Sequence, residues 1–341
     1  MTTDVLSSQA PPPSAAAHPA RTSGAAAKWL RYLRRRLVGV AAVLTSVLAL
    51  TFMIVHWVPG DPARNIVGIT ADPAAVQQVR EELGLTQPLW EQFEHYVTNL
   101  FHGDLGTSFV DQQPVTDMLA QRLPLTAQLA VYALLIVVIV GFALGIAVGV
   151  LQRNQRGRGA TATFTGGSSL VGAMPEYITG TLLIYVFALT LHLLPVQGGQ
   201  GLKSMIMPAI SVALAPTAVL ARLVRNETVS VLSQEYLMTA TSKRLPWPRL
   251  LLRHVVPNVV TSTLTLGGLL LVALLGGTVI TENVFNIAGL GTEIVQAILQ
   301  SDYPAVQGII LVLGVIAVLV NLAVDIALGL LDPRVLAREH S

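Results

Sequence analysis

Few residues in the apolar stretches of this 341-residue chain can do chemistry. Pro175-Glu176-Tyr177 places a carboxylate inside a long apolar run. An ionised group at that depth costs about 2.5 kcal/mol or more unless it is paired or faces water. Two roles fit Glu176: a group on a translocation path or gate, or a carboxylate bonded to backbone groups that Pro175 has freed. Asn321 and Asp325 stand one turn apart on one face of another apolar run, the pattern of interhelical glue. The seven histidines are scattered, only His95 and His102 lie close together, and there is no cysteine. Neither a metal, a disulfide nor a cofactor is expected. Gly198 to Ser204 faintly resembles a phosphate loop, but Leu202 separates glycine from Lys203 and no strand precedes it. With no HExxH, GxSxG or paired-Asp constellation either, an enzyme is not expected.

The elements that must position these groups follow from composition. Only 12% of the residues are charged and 52% are apolar, with a mean hydropathy of +0.63. A soluble chain carries about a quarter charged residues, so much of this surface faces lipid. A membrane-crossing helix needs about 20 apolar residues. Stretches 37–58, 123–151, 164–194, 205–224, 259–281 and 304–331 qualify, which predicts an all-α integral membrane protein of six transmembrane helices. Pro208 and Pro216 predict that the fourth is a kinked inner helix. Gly141, Gly145 and Gly149 recur every four residues, and Gly276 and Gly277 adjoin, as close helix packing requires. Residues 1–28, rich in Ala, Pro, Ser and Thr, read as a disordered tail. The run ending at Val58 is too long for a signal peptide and meets Pro59-Gly60-Asp61-Pro62 without a cleavage site, so 29–58 is read as the first span.

Basic residues set the orientation. Of the 21, only Arg64, Arg80, Arg122 and Lys203 fall in the loops opposite the two termini. Both termini are therefore placed inside. Residues 59–122 become an extracytoplasmic segment, with helical spacing around Val76, Val79 and Leu83 and again around Trp90, Phe93, Val97 and Leu100. Two short amphipathic helices on the membrane surface are expected there. Residues 123–331 form the core, with a cytoplasmic loop over 226–258 and a smaller outer loop over 282–303. Residues 332–341 are a second cytoplasmic tail.

In the cytoplasmic loop, Ser233 is a plausible N-cap, Glu235 lies in a first turn, and Lys243 and Arg244 lie in a last turn. Pro246 and Pro248 then break the chain. The result is a short helix offering Tyr236, Leu237, Ala240 and Thr241 to a partner, or else an ordinary interfacial helix.

The run Glu235-Tyr236-Leu237-Met238-Thr239-Ala240-Thr241-Ser242-Lys243, followed by Arg253-His254 and Asn258, resembles the "EAA" loop of ABC importer permeases. The variant is that of the dipeptide/oligopeptide/nickel family, B-type. Pro59 to Pro62, Leu83 to Pro88, Gly103 to Ser108, Ala221 to Arg225, Glu282 to Phe285, Gly289 to Gly291, Asp302 to Pro304 and Asn321 to Asp325 are similar to it too. Departures are Arg244 where the family has glycine, Ser262 where it has proline, and Ile287-Ala288 where it has Tyr-Pro. The resemblance implies a type I importer permease fold and a translocation path shared with a second, homologous permease. It also implies two ATP-binding subunits engaging residues 235–244 from Glu235 to Arg244, and an extracytoplasmic solute-binding protein docking near Gly103, Asp104, Gly289, Gly291 and Asp302. Membrane lipid is the remaining partner, and nucleic acid is not one. A secondary, ion-coupled transporter is the competing reading, although Glu176 and Asp325 are few ionisable groups for it and no repeat is visible.

Overall fold

A computed structural model describes residues 23–57, 61–68, 71–82, 84–153, 158–199, 201–237 and 246–331. The expected tails over 1–22 and 332–341 and the segment Met238 to Leu245 lie outside the described residues.

The chain is a succession of helices. Long apolar runs must satisfy their backbone groups internally once they leave water, and a helix does this within one segment. Helix α1 (Ser23–Trp57) carries the basic start and the first apolar run. Helices α5 (Val115–Arg153), α8 (Leu202–Leu232) and α12 (Tyr303–Leu331) follow the same rule. Among the described residues, these contribute four stretches long and apolar enough to cross a membrane. Helix α10 (Val256–Val284), 29 residues long, covers the expected stretch 259–281.

The expected third span, 164–194, is not one straight helix. Helix α6 (Arg158–Ala173) and helix α7 (Glu176–Leu183), which runs on as a π-helical stretch over Ile184–Thr190, meet at 98°. Pro175 is the cause: it lacks an N–H, and its ring drives Met174 out of the helical region. By contrast, Pro208 and Pro216 both sit inside the single 31-residue α8, an inner helix as expected, with much of its length buried. Pro208 is buried and Pro216 half-buried, so packing holds the turns their missing N–H groups weaken.

Helices α5 and α8 form the central seam. A Cβ on Gly145 would lie 2.6 Å from the Ala221 carbonyl oxygen and from Val224 Cβ, and one on Gly149 would lie 2.7 Å from Thr228 Cβ. Only glycine permits that approach, and the spacing of four keeps all three glycines on one face. Leu129, Ala133 and Val137 of α5 then meet Val212, Leu220 and Val224 of α8 in the main core, which α10 joins through Val255, Val259 and Leu274 at or beside its start and along its length. Gly277 is packed in a comparable way, but Gly276 faces open space.

The outer segment holds three short helices where two were expected: α2 (Pro62–Val67), α3 (Pro73–Glu82) and α4 (Leu89–Phe101). Pro62, pre-set for a first helical turn, accounts for the extra one. Arg80 of α3 bonds Asp61 at 2.6 Å, tying α3 to the start of α2. Phe93 and Tyr96 of α4 pack on Phe52 near the end of α1, the first edge-on and the second stacked, with ring centroids 5.2 and 6.2 Å away.

Candidate functional site

The bend at Pro175 positions Glu176 in the first turn of α7, and three helices converge on it. Thr281 of α10 donates to Glu176 Oε1 at 2.5 Å. Ser211 of α8 donates to the Glu176 backbone oxygen at 3.1 Å. A Cβ on Gly277 would stand 2.8 Å from Glu176 Oε2, so the glycine makes room for the carboxylate. The carboxylate therefore bonds a hydroxyl on another helix. Pro175 and Tyr177 are exposed beside it.

On the outer side, helix α11 (Leu290–Leu299) begins at Gly289. The wholly buried Glu282 carboxylate accepts from the backbone N–H of Gly291 at 2.6 Å and of Thr292 at 3.3 Å. A negative group at these orphan donors satisfies them and the helix dipole together. A Cβ on Gly289 would meet Glu282 Oε2 at 2.4 Å, and one on Gly291 would meet Val279 Cα at 2.4 Å. Both glycines are thus required by packing. Arg122 of α5 bonds Glu293 of α11 at 2.9 Å. Burial pushes the Glu293 carboxyl up, Arg122 pulls it down, and Asp111 and Asp302 push it up further.

Asp302 is buried and acts as a knot. It accepts from Ser108 Oγ at 2.5 Å and from the backbone N–H of Phe109 and Ala305 at 3.1 and 3.4 Å. It thereby fixes loop 104–114 to the start of α12. Gly103, at φ 78°, turns the chain out of α4, and Asp104 Oδ1 accepts from the Gly106 N–H at 2.8 Å. Both are exposed, unlike Gly289, Gly291 and Asp302.

At the other end, Asp325 of α12 pairs with Arg36 of α1 at 3.0 Å. Asn321, one turn earlier, is exposed. The cytoplasmic loop departs from expectation in two ways. Ser233 ends α8, its Oγ donating to the Ser230 carbonyl at 2.7 Å, where an N-cap for the next helix was expected. Leu237, expected to face a partner, is wholly buried with Leu232, Leu250, Val255 and Val259. Tyr236 is 46% exposed and its hydroxyl accepts from Asn258 at 3.3 Å, and Glu235 is exposed. Thr239, Ala240, Thr241, Ser242, Lys243 and Arg244 lie outside the described residues. After the break, helix α9 (Trp247–Leu250) continues through a π turn, Leu251–Val255, into α10. Pro257, which cannot donate to Arg253, accounts for the widened register.

Sequence reasoning did not single out Arg122, Glu293, Arg36 or Ser108. Arg222 and Arg225 of α8 were noted only within a similar stretch, yet they reach α6, donating to Ser169 Oγ at 3.1 Å and to Thr165 Oγ1 at 2.8 Å.

Comparison with known proteins identifies the chain's relatives. Residues 141–337 match the family described as "Binding-protein-dependent transport system inner membrane component". Residues 29–130 match its N-terminal companion, "Binding-prot-dependent transport system membrane comp, N-term". The glutathione transport system permease protein GsiC of Escherichia coli is 37% identical over 90% of this chain and 99% of its own. Its counterpart from Salmonella typhimurium is 36% identical with the same coverage. Among solved structures, the inward-facing MetNI methionine ABC transporter is similar at a TM-score of 0.49 and 16% identity, covering 64% of this chain and 97% of that one. Matched over more than half its length, and sharing over a third of its residues with relatives along nine tenths of it, the chain belongs to the family of binding-protein-dependent transport system inner membrane components.

Proposed function

We propose that this permease subunit of an ABC importer lines, with a second homologous permease, a path for short peptides handed over by an outer solute-binding protein. The chain is not itself an enzyme; ATP is hydrolysed by separate subunits. Two ATP-binding subunits engage the segment from Glu235 to Arg244. Six spans with both termini inside complete the arrangement, the bent α6–α7 pair being the third and α10 the fifth. Glutathione, itself a tripeptide, is named for the relatives and falls in the same class.

The observation that carries this reading is the burial of Leu237 at the junction of α8 and the α9–α10 run. A force on the residues that follow it reaches both long helices through a packed side chain. From α8 it passes to α5 across the glycine seam, and to α7 and α10 through Glu176. An ATP-driven change of access requires the ATP-binding subunits to bind one permease conformation better than the other, and such a rigid link is what lets that difference act at a distance.

The test is uptake into vesicles holding the reconstituted four-subunit complex and its binding protein. Radiolabelled di- and tripeptides, with glutathione among them, accumulate only when ATP is supplied to the ATPase side. Uptake driven by a proton or sodium gradient without ATP overturns the proposal in favour of the ion-coupled carrier.

A further inference from the structure

The apolar face of α4 divides in two. One half, through Phe93 and Tyr96, packs on Phe52 of α1. The other half carries Trp90, Val97 and Phe101, whose spacings of seven and four residues keep them on one stripe. That stripe is open: Trp90 is 71% exposed and Phe101 86%. Glu91, His95, Thr98 and Asn99 occupy the opposite face.

The position of α4 says what covers the open half. Phe52 lies in the last turn of the apolar window Arg36–Met53 of α1, at the end away from its basic start. Packing on Phe52 therefore holds α4 at the level where the hydrocarbon ends. Helix α1 itself is peripheral. It packs against α12, where Gly314 leaves room for Val47, yet only 11% of its window is buried. Leu37, Val38, Val43 and Leu50 are exposed along it. A helix lying against such a span has lipid beside it. Tryptophan and phenylalanine on one face with polar groups on the other suit the boundary between acyl chains and headgroups. Helix α4 carries Glu91 and Glu94 but no Lys or Arg, so apolar burial rather than attraction to anionic headgroups must hold it there.

We propose that α4 is a foot lying in the membrane interface beside the end of α1, with Trp90, Val97 and Phe101 turned into the lipid. Helices of this kind sink about 5–10 Å into the boundary. Helix α3 does not share the role expected of both. Its Val76 is buried and Val79 half-buried, and it exposes Gln77, Gln78, Glu81 and Glu82. Gly103 turns the chain from α4 into loop 104–114, which Asp302 ties to α12. The foot thus sets the height of one end of that loop, whatever solute the chain passes.

The experiment uses the absence of cysteine from this chain. Phe101→Cys and Thr98→Cys are each labelled with a nitroxide in the permease–ATPase complex, held in nanodiscs of uncharged phosphatidylcholine. The unsubstituted complex, treated in parallel, supplies the background from other subunits. Collision with oxygen, which partitions into lipid, is compared with collision with a water-soluble nickel chelate. The oxygen-to-nickel ratio is expected to be several-fold higher at Phe101→Cys than at Thr98→Cys. Both side chains are exposed, so neither substitution should lower the melting temperature. Equal ratios at the two positions overturn the proposal, since both faces then meet water. A label at Phe101→Cys shielded from both reagents overturns it too, and gives the stripe to another protein subunit.

Discussion

Thr281 of α10 donates to the Glu176 carboxylate at 2.5 Å, joining α10 to the first turn of α7 just past the Pro175 bend. Because the carboxylate acts there as an acceptor, an uncharged oxygen in the same place should serve as well. Glu176→Gln should keep the Thr281 bond and retain ATP-driven uptake to within about threefold. Glu176→Ala leaves the Thr281 hydroxyl without that acceptor, a loss worth about 1–3 kcal/mol that melting of the detergent-purified complex will register. Loss of uptake in Glu176→Gln with assembly and ATPase activity intact means that protonation at 176 takes part in transport.

The glycine seam makes a paired prediction. Gly145→Ala drives a methyl to within 2.6 Å of the Ala221 carbonyl oxygen, where backbone must move. Overpacking of that kind costs about 1–3 kcal/mol, so the melting temperature should fall and uptake with it. Gly276→Ala meets open space within this chain and trades glycine for a better helix former. Its effect on the isolated subunit should be neutral or slightly stabilising. A destabilisation confined to the assembled complex would place Gly276 against another subunit.

The contrast between these glycines marks how much the sequence could reveal. Gly141, Gly145 and Gly149 were readable as packing because their period of four is the period of a helix face. Gly276 has no such period, and adjacency to Gly277 said nothing about which of the two is covered. Stretch 164–194 reads as one span across Pro175, and the 98° bend depends on what α6 and α7 pack against. Arg36 and Asp325, or Ser108 and Asp302, are separated by most of the chain, and no local pattern can pair residues at that distance. Glycine and aspartate in an outer loop fit docking and packing equally well, and only the Cβ clearances assign Gly289 and Gly291 to packing.

Asp302 should be the most sensitive position outside the spans. Asp302→Ala strips the acceptor from Ser108, Phe109 and Ala305 at once. Bonds to a charged acceptor are worth about 1.5–3 kcal/mol, so the melting temperature should drop, and proteolysis over 104–114 should become faster. Ser108→Ala removes one of these bonds and should have the smaller effect. Equal protease resistance in Asp302→Ala and the parent would show that the loop is held by something else.

The Arg36–Asp325 pair should matter less than its 3.0 Å length implies, since the two side chains are 39% and 23% exposed. A double-mutant cycle with Arg36→Ala and Asp325→Ala is expected to give a coupling of about 0.5 kcal/mol. It should shrink further as salt is raised. A coupling several times larger that ignores salt would mean the pair is shielded by lipid.

Leu237 separates a force-transmitting role from a merely structural one. Truncation of a buried leucine to alanine costs about 2–5 kcal/mol, here in the core cluster that also holds Leu232, Leu250, Val255 and Val259. If that contact carries motion from the ATP-binding subunits to α8 and α10, Leu237→Ala should leave an assembled complex that still hydrolyses ATP but no longer accumulates peptide. The ratio of uptake to ATP hydrolysis is therefore the quantity to measure, since simple loss of folded protein lowers both in proportion. Tyr236→Phe is the control: its hydroxyl accepts one bond from Asn258 at 3.3 Å on a half-exposed side chain. That change should leave the ratio where it was. A ratio unchanged in Leu237→Ala would confine this leucine to folding and move the coupling contact elsewhere in the loop.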